Sequence, residues 1–294
     1  MSKKNGASTG YRVFSWVVLI ILALLFLFPL YWILTGALKP PAAINSPTPQ
    51  WWPKEFTLRN FQVLFSKRSA PLFQIGPLEG PTVPGAIRWL LNTVFMAVMA
   101  MILTCLTAAM AGYALAKKRF TGRVILFSLI VAAMALPKQV ILIPLIREMS
   151  ALGLYDNIWA VIFPTVGWPF GVFLMKQFSE GIPGEMLEAA RIDGAGELLT
   201  FTNIVYPLIK PGVGALAIFT FISSWNDYFL QLIMLTSSDN LTISLGIATM
   251  QAENSTDYGL IMAGAALAAV PIIIVFLIFQ KYFTKGITMG AVKG

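Results

Sequence analysis

Two ionisable residues, Lys138 and Asp227, lie inside long apolar stretches of the sequence. A charge at the centre of a membrane helix costs about 2.5–3.5 kcal/mol on insertion scales, so each is a candidate for a functional site. The two side chains can form an ion pair, or line a polar path for a solute with Gln139 and Asn226. The structural alternative is that Lys138 extends to the membrane surface and Asp227 accepts hydrogen bonds from a neighbouring helix.

Aromatic residues near these charges offer flat faces on which sugar rings can stack. The candidates for such contacts are Trp168, Trp225, Tyr228 and Phe229. Most Trp and Tyr residues of membrane helices are instead interfacial anchors or packing groups. Both interpretations stay open from the sequence.

The residue types that are rare or absent restrict the chemistry further. The chain has no histidine and a single cysteine, Cys105, so imidazole catalysis, His-ligated metals, disulfides and Cys-based zinc sites are excluded. No catalytic residue and no metal site are expected. The chain also lacks the G-x-x-x-x-G-K-[ST] phosphate loop. A site of that kind for ATP is therefore not expected in this chain.

The composition indicates an integral membrane protein. Hydrophobic residues make up 57% of the chain and charged residues 12%, and the mean hydropathy is +0.75. The net charge of +8 comes mainly from loops between apolar segments. This position favours a role of the Lys and Arg residues in membrane topology over a role in a nucleic-acid-binding groove. The expected surroundings are a lipid bilayer, and nucleic acid is not expected as a partner.

Six segments are long enough to cross a hydrocarbon core, which takes about 20 apolar residues as a helix. The sequence thus predicts an all-α membrane protein, with kinks at Pro29 and Pro137. The predicted spans are 13–35, 89–116, 124–145, 159–178, 211–236 and 260–283.

Basic residues predict the orientation of these spans. They occur before the first span, between the second and third, and after the last, so both termini should be cytoplasmic. This divides the chain into a cytoplasmic N-terminus (1–12), the first span (13–35), a Pro-rich outer segment (36–88) with one short helix near 57–66, a five-helix core (89–283) and a cytoplasmic tail (284–294). The outer segment is itself basic, but its length weakens the control of charge over translocation.

The loop 179–210 of the core, predicted to be cytoplasmic, contains a spaced motif. Pro183 can open a short helix and Gly194 can close it. Small residues allow the surface of another protein to approach this helix closely, and charged residues surround that contact. The candidate coupling residues are Glu188, Ala189, Ala190, Asp193, Gly194, Ile204 and Pro207.

The spacing of this motif resembles the cytoplasmic signature of ATP-binding-cassette importer permeases. Ser224-Trp225-Asn226-Asp227, the Pro137 and Pro144 pair and the tail from Lys285 to Gly294 resemble carbohydrate-importer permeases of the maltose-transporter type. Within that family the chain is similar to the second, shorter permease. The resemblance implies a type I importer bundle.

The resemblance also implies partners. They are a second, unlike permease, a dimer of ATPase subunits that carries ATP and Mg, and an extracytoplasmic solute-binding protein in a bacterial inner membrane. The loop helix would seat in a cleft on one ATPase subunit. Two positions depart from the family pattern: Tyr206 replaces a usual Leu, and Lys138 replaces a small uncharged residue.

The basic outer segment and Lys138 favour an acidic solute, such as a uronic-acid oligosaccharide or a glycerol phosphate. Pairing with anionic lipid is the competing explanation of those charges. The alternative function is a secondary active transporter that uses an intramembrane Lys138/Asp227 site, although the spans are poor in other ionisable groups. A channel and a membrane enzyme have less support, because neither a filter-like segment nor a catalytic cluster is visible.

Overall fold

Long apolar helices dominate the chain, as their composition requires. A computed structural model describes residues 9–75, 78–253 and 257–291. Four of its helices are long and apolar enough to cross a membrane, and two bent helix pairs bring the count to as many as six. The four are α1 (Thr9–Ala37), α4 (Gly85–Lys117), the continuous helix Glu197–Asn226 that ends in α11 (Tyr206–Asn226), and α14 (Tyr258–Ala291).

The remaining elements are shorter. The bent pairs consist of α5 (Arg123–Ala133) with the 3-10 turn Lys138–Ile141 and α6 (Leu142–Ala151), and of α7 (Trp159–Val166) with α8 (Pro169–Glu180). The other helices are α2 (Pro41–Ile44), α3 (Arg59–Ser66), α9 (Gly184–Ile192), α10 (Glu197–Thr200), α12 (Tyr228–Met234) and α13 (Ile243–Glu253), and a π turn covers Phe201–Val205. The strands are β1 (Ser69–Pro71), β2 (Gln74–Ile75), β3 (Leu78–Glu79) and β4 (Thr82–Pro84).

The third span, predicted over 124–145 with a kink at Pro137, is divided into two helices. The chain breaks between Ala133 and Lys138 and turns by 100°. Pro137 lies at the break in an extended conformation, with ψ of 131°, and proline also disfavours the helical conformation for the residue before it. Helix α6 then continues to Ala151, beyond the predicted end.

The fourth and fifth spans also differ from the prediction. The fourth bends by 40° between α7 and α8, because Trp168 precedes Pro169 and adopts ψ of 130°. The fifth begins earlier and ends at Asn226, not at 236. Asp227 leaves the helical conformation, with φ −77° and ψ 62°, and α12 starts after it.

Helix α4 defines two ends of the bundle, about 50 Å apart at 1.5 Å per residue. Its last residues, Lys117 and Lys118, contact the segment 180–197, and this is called the loop end. Its first turns hydrogen-bond the segment 238–241, and this is called the far end. The far end also holds the segment 36–88, in which the predicted short helix is confirmed as α3 and the strands form two antiparallel pairs.

Helix α4 is also the centre of the packing, where it lies against α8 and α11. At Gly112 an added Cβ would come within 2.6 Å of the backbone nitrogen of Lys176. Glycine therefore lets α4 and α8 approach closely, as small residues do between membrane helices. Parts of both predicted termini, residues 1–8 and 292–294, lie outside the described residues.

Candidate functional site

The predicted loop helix is present as α9, and its sequence explains both of its ends. Pro183 precedes the first turn in an extended conformation, with φ −60° and ψ 135°. Gly194 follows the last turn with φ of +76°, a conformation that favours glycine. The amide of Ala195 then donates to the carbonyl of Ala190 at 2.9 Å, which closes the helix.

The two faces of α9 have different surroundings. Leu187 and Ala190 point into the chain and are buried, whereas Glu188 and Ala189 are exposed. Ile192, at the end of α9, is 86% exposed. Of the candidate coupling residues, Ala190 is thus a packing residue of its own chain, while Glu188, Ala189, Asp193 and Gly194 face outward.

Two consecutive lysines at the end of α4 hold both sides of this loop. The Lys117 ammonium donates to the carbonyls of Glu180 and Ile182 at 3.0 and 2.6 Å. Lys118 forms an ion pair with Glu197. The chain is therefore attached to the end of α4 both before and after α9. In the sequence these lysines indicate topology only. Their contacts with the loop could have been suspected because two adjacent cations at a helix C-terminus can bind nearby carbonyl groups.

Ile204 and Pro207 lie where the loop re-enters the bundle. Residues Phe201–Val205 form a π turn, and Pro207 follows it in the first turn of α11. Proline has no amide hydrogen for the helical ladder, which agrees with the wider turn that precedes it. Ile204 is half-buried and Pro207 is exposed, so neither lies on α9 itself.

A second candidate site lies at the break of the third span. The Lys138 ammonium is 3.1 Å from Asp227 Oδ2, and it is 4.8 Å from the centre of the Trp168 ring. The Lys138 side chain is 47% exposed and that of Asp227 is 17% exposed, and both residues line an open cavity of about 70 Å³. Gln139, Thr165 and Trp168 line this cavity.

The structure separates the predicted path residues into two groups. Lys138, Gln139, Trp168 and Asp227 meet at the cavity. Trp225 does not: it is 2% exposed and packs in the core, with its ring 5.5 Å from Phe221. Asn226 is exposed, and its side chain donates to the carbonyl of Ile222 at 2.9 Å.

Asp227 also has a local role that the sequence analysis did not identify. Its Oδ1 accepts a hydrogen bond from the amide of Leu230 at 3.4 Å, so it caps α12 while Oδ2 pairs with Lys138. Among the described residues, no group of three or more acidic or cysteine side chains could hold a metal ion. The cavity therefore offers one cation, one anion, an amide, a hydroxyl and an aromatic face.

The comparisons with known proteins agree with these features. Residues 106–289 match the family described as "Binding-protein-dependent transport system inner membrane component". The chain is 33% identical over 289 residues to the arabinooligosaccharides transport system permease protein AraQ of Bacillus subtilis (97% of this chain, 96% of that protein). It is 35% identical over 213 residues to the maltodextrin transport system permease protein MdxG of the same organism (71% and 76%).

Among solved structures, the chain resembles one in a bacterial ABC transporter that imports the acidic polysaccharide alginate. The TM-score is 0.77 with 24% identity, over 95% of this chain and all of that chain. At this identity the likeness shows the fold alone.

Long apolar helices, an exposed loop helix at one end and these matches define a membrane transport subunit, not an enzyme. The chain belongs to the family of binding-protein-dependent transport inner membrane components. Within it, the chain is a carbohydrate ABC importer permease of the maltose type, located in the inner membrane.

Proposed function

We propose that this permease imports oligosaccharide by alternating access and that α9 is the lever through which separate ATPase subunits move it. Closing of the ATPase dimer would displace α9, and the bundle would open at the far end to accept solute. Opening of the ATPase dimer after hydrolysis would return α9 to its starting position. The observation that carries this proposal is the outward face of α9, held on both sides by Lys117 and Lys118.

The attachment to α4 makes α9 suitable for transmitting a displacement. Lys117 binds the entry of the loop and Lys118 binds its exit, while Leu187 and Ala190 pack inward. A push on α9 is therefore passed to the end of α4. Helix α4 in turn packs against α8 and α11, which connect the loop end to the cavity.

The proposal includes an orientation and a set of partners. The loop end and both termini face the cytoplasm, where the ATPase dimer binds ATP and Mg, and this chain holds no cofactor. A second, unlike permease completes the path, and the far end receives solute from a binding protein. The basic residues that flank the loop end, such as Lys117 and Arg123, agree with this orientation.

The test is a charge placed on the outward face of α9. Ala189 is exposed and makes no inward packing contact that a larger side chain would disturb, so Ala189→Asp should leave the permease folded and assembled. We expect transport to fall at least tenfold in reconstituted vesicles, and stimulation of the ATPase by the loaded binding protein to be lost. Ala190→Asp would be less informative because Ala190 is buried.

Gln62→Glu is a matched control, since it adds one negative charge to an exposed helix position at the far end. It should keep both activities. Normal transport and normal ATPase stimulation by the Ala189→Asp transporter would contradict the lever assignment.

For the solute, we propose an acidic oligosaccharide or a related anion such as a uronate oligomer or a glycerol phosphate. The support is Lys138 at the cavity beside the Trp168 ring, where a carboxylate and a sugar face would each find a partner. A relative named for sulfoquinovosyl glycerol transport, SmoH of Agrobacterium fabrum, is 31% identical over 91% of this chain. A secondary transporter is not favoured, because residues 106–289 match the binding-protein-dependent transport family.

A further inference from the structure

A buried lysine lies at the far end of the bundle, apart from both sites described above. Lys39 follows the end of α1 and is only 2% exposed. Its ammonium donates to the carbonyl of Gln50 at 2.5 Å and lies 4.3 Å from the centre of the Trp32 ring. In the described part of the chain, no carboxylate lies within 4.0 Å of it.

These contacts leave the charge of Lys39 incompletely compensated. An ammonium has three N–H donors and no acceptor, and one carbonyl and one aromatic face occupy only part of that capacity. Burial lowers the pKa of Lys39, which reflects the cost of holding the charged form there. An anion beside the ammonium would offset that cost.

The space for such an anion is present. A cavity of about 480 Å³, open to the surroundings, lies beside Lys39. Asn45, Ser46 and Tyr258 give it polar walls, whereas Gly36 and Met262 give it an apolar wall where α1 meets α14. The lining thus suits a molecule with a polar, charged group at one side and an apolar part at the other.

The position of the cavity identifies the source of that molecule. Trp32 lines the cavity, and two further aromatic residues lie next to it: the Trp32 and Trp51 rings are 5.9 Å apart, and the Tyr31 hydroxyl donates to the carbonyl of Trp51 at 2.5 Å. Clusters of Trp and Tyr at the end of apolar helices mark the level of lipid headgroups. Helix α1 is exposed along most of its apolar length, so acyl chains can lie against it.

We propose that this cavity binds the phosphate of an anionic phospholipid, with the Lys39 ammonium as its charged contact and Asn45 and Ser46 as hydrogen-bond donors. The acyl chains would follow α1 and the adjoining wall of α14. The proposal depends on the membrane level of the aromatic residues and not on the coupling role of α9, so the two can fail separately.

The test counts lipid molecules retained by the intact transporter. The complex with the full-length chain is purified from membranes of defined phosphatidylglycerol and phosphatidylcholine content, and native mass spectrometry measures the bound lipid. We expect the wild type to retain one phosphatidylglycerol that Lys39→Gln loses, with occupancy reduced at least fivefold. Lys54→Gln is the control, because Lys54 is an exposed lysine of the same segment and should retain the lipid.

A second variant covers the case in which Lys39→Gln does not assemble. Asn45→Asp places a carboxylate in the cavity and leaves the contact between Lys39 and Gln50 in place, so it should also lose the lipid. Equal retention by the wild type and Asn45→Asp would overturn the proposal. Displacement of the lipid by millimolar glycerol phosphate would instead assign the site to a soluble phosphate compound and overturn the lipid assignment.

Discussion

The ion pair between Lys138 and Asp227 combines two tasks in one carboxylate. Oδ2 pairs with Lys138, and Oδ1 caps α12 through the amide of Leu230. The pair therefore connects the broken third span to the end of the fifth. Because a cavity exposes Lys138, its charge stays accessible to a solute while Asp227 fixes its position.

Replacement of the pair in a double-mutant cycle should separate these tasks. Asn is a good helix cap, so Asp227→Asn keeps the cap on α12 and removes only the charge. With partners this exposed we expect a coupling free energy of about 1 kcal/mol between Asp227→Asn and Lys138→Gln, measured by thermal unfolding of the purified transporter. A coupling near zero would show that the ion pair does not form in the assembled transporter.

Asp156 at the far end should make stability depend on pH. Burial would raise the pKa of its carboxyl, but hydrogen bonds from Ser237 and Thr236 outweigh burial and hold the pKa below its usual range. The carboxylate therefore stabilises the fold above its ordinary pKa of about 3.9, and this contribution is lost as the pH falls through the lowered value.

The matching variant is Asp156→Asn, because asparagine also tolerates the positive φ of 58° found there. It should lower the unfolding midpoint at pH 7 by an amount that corresponds to about 1–3 kcal/mol. The difference from the wild type should shrink as the pH approaches 3.5. An unchanged difference across that range would show that the carboxylate charge is not involved.

At the level of elements, the sequence predicts the long helices well and the interrupted ones poorly. Apolar length alone locates α1, α4 and the start of α14 to within four residues, because about 20 apolar residues have few other stable arrangements in a bilayer. Helix α14 continues past the predicted end at 283 to Ala291. The break at Pro137 is predictable as a kink. Its angle of 100° is not, since it depends on how α5 and α6 pack against neighbouring helices.

The same limit applies to the candidate sites. The spacing of Glu188 and Gly194 predicts α9, because Pro183 and Gly194 fix its ends locally. Which side of α9 faces outward is a tertiary property, and Ala190 therefore turns out to be buried. Trp225 is buried and its neighbour Asn226 is exposed. Tertiary packing, not the local sequence, decides this difference as well.

The contact of Lys117 with the end of α8 should be needed to transmit movement. Lys117→Met removes two charge-assisted hydrogen bonds, to Glu180 and Ile182, but preserves the length of the side chain. Because water can replace part of these bonds, we expect a stability loss of only about 1 kcal/mol. We expect solute transported per ATP hydrolysed to fall several-fold in vesicles. Arg119→Met removes a nearby exposed cation and should keep that ratio; an unchanged ratio in Lys117→Met would contradict the transmission role.

On the scale of the whole molecule, charge is distributed unevenly between the two ends. The net charge is +8, and exposed cations occur at the loop end and also in the segment 36–88 at the far end. At the loop end they agree with the orientation rule. At the far end the rule does not explain them, and the acidic solute proposed above would give Lys54 and Lys67 a role in attracting an anion.

This interpretation predicts a salt-dependent uptake rate that differs between solutes. Exposed charges act over roughly 10 Å at 0.1 M salt and much less at 1 M. Neutralising Lys54 and Lys67 together should therefore slow initial uptake of a uronate oligosaccharide on the order of threefold at low salt, and have little effect at high salt. Uptake of a neutral oligosaccharide of the same length should not change.

Lys138→Gln distinguishes attraction from contact. Lys138 lies at a cavity beside Trp168, where salt screens a direct ion pair much less than it screens surface charges. The variant should therefore reduce uptake of the uronate oligosaccharide at both salt concentrations, chiefly through a higher KM. Strong uptake of neutral oligosaccharides alone by the wild-type transporter would refute the acidic solute, and would assign the far-end cations to the lipid surface.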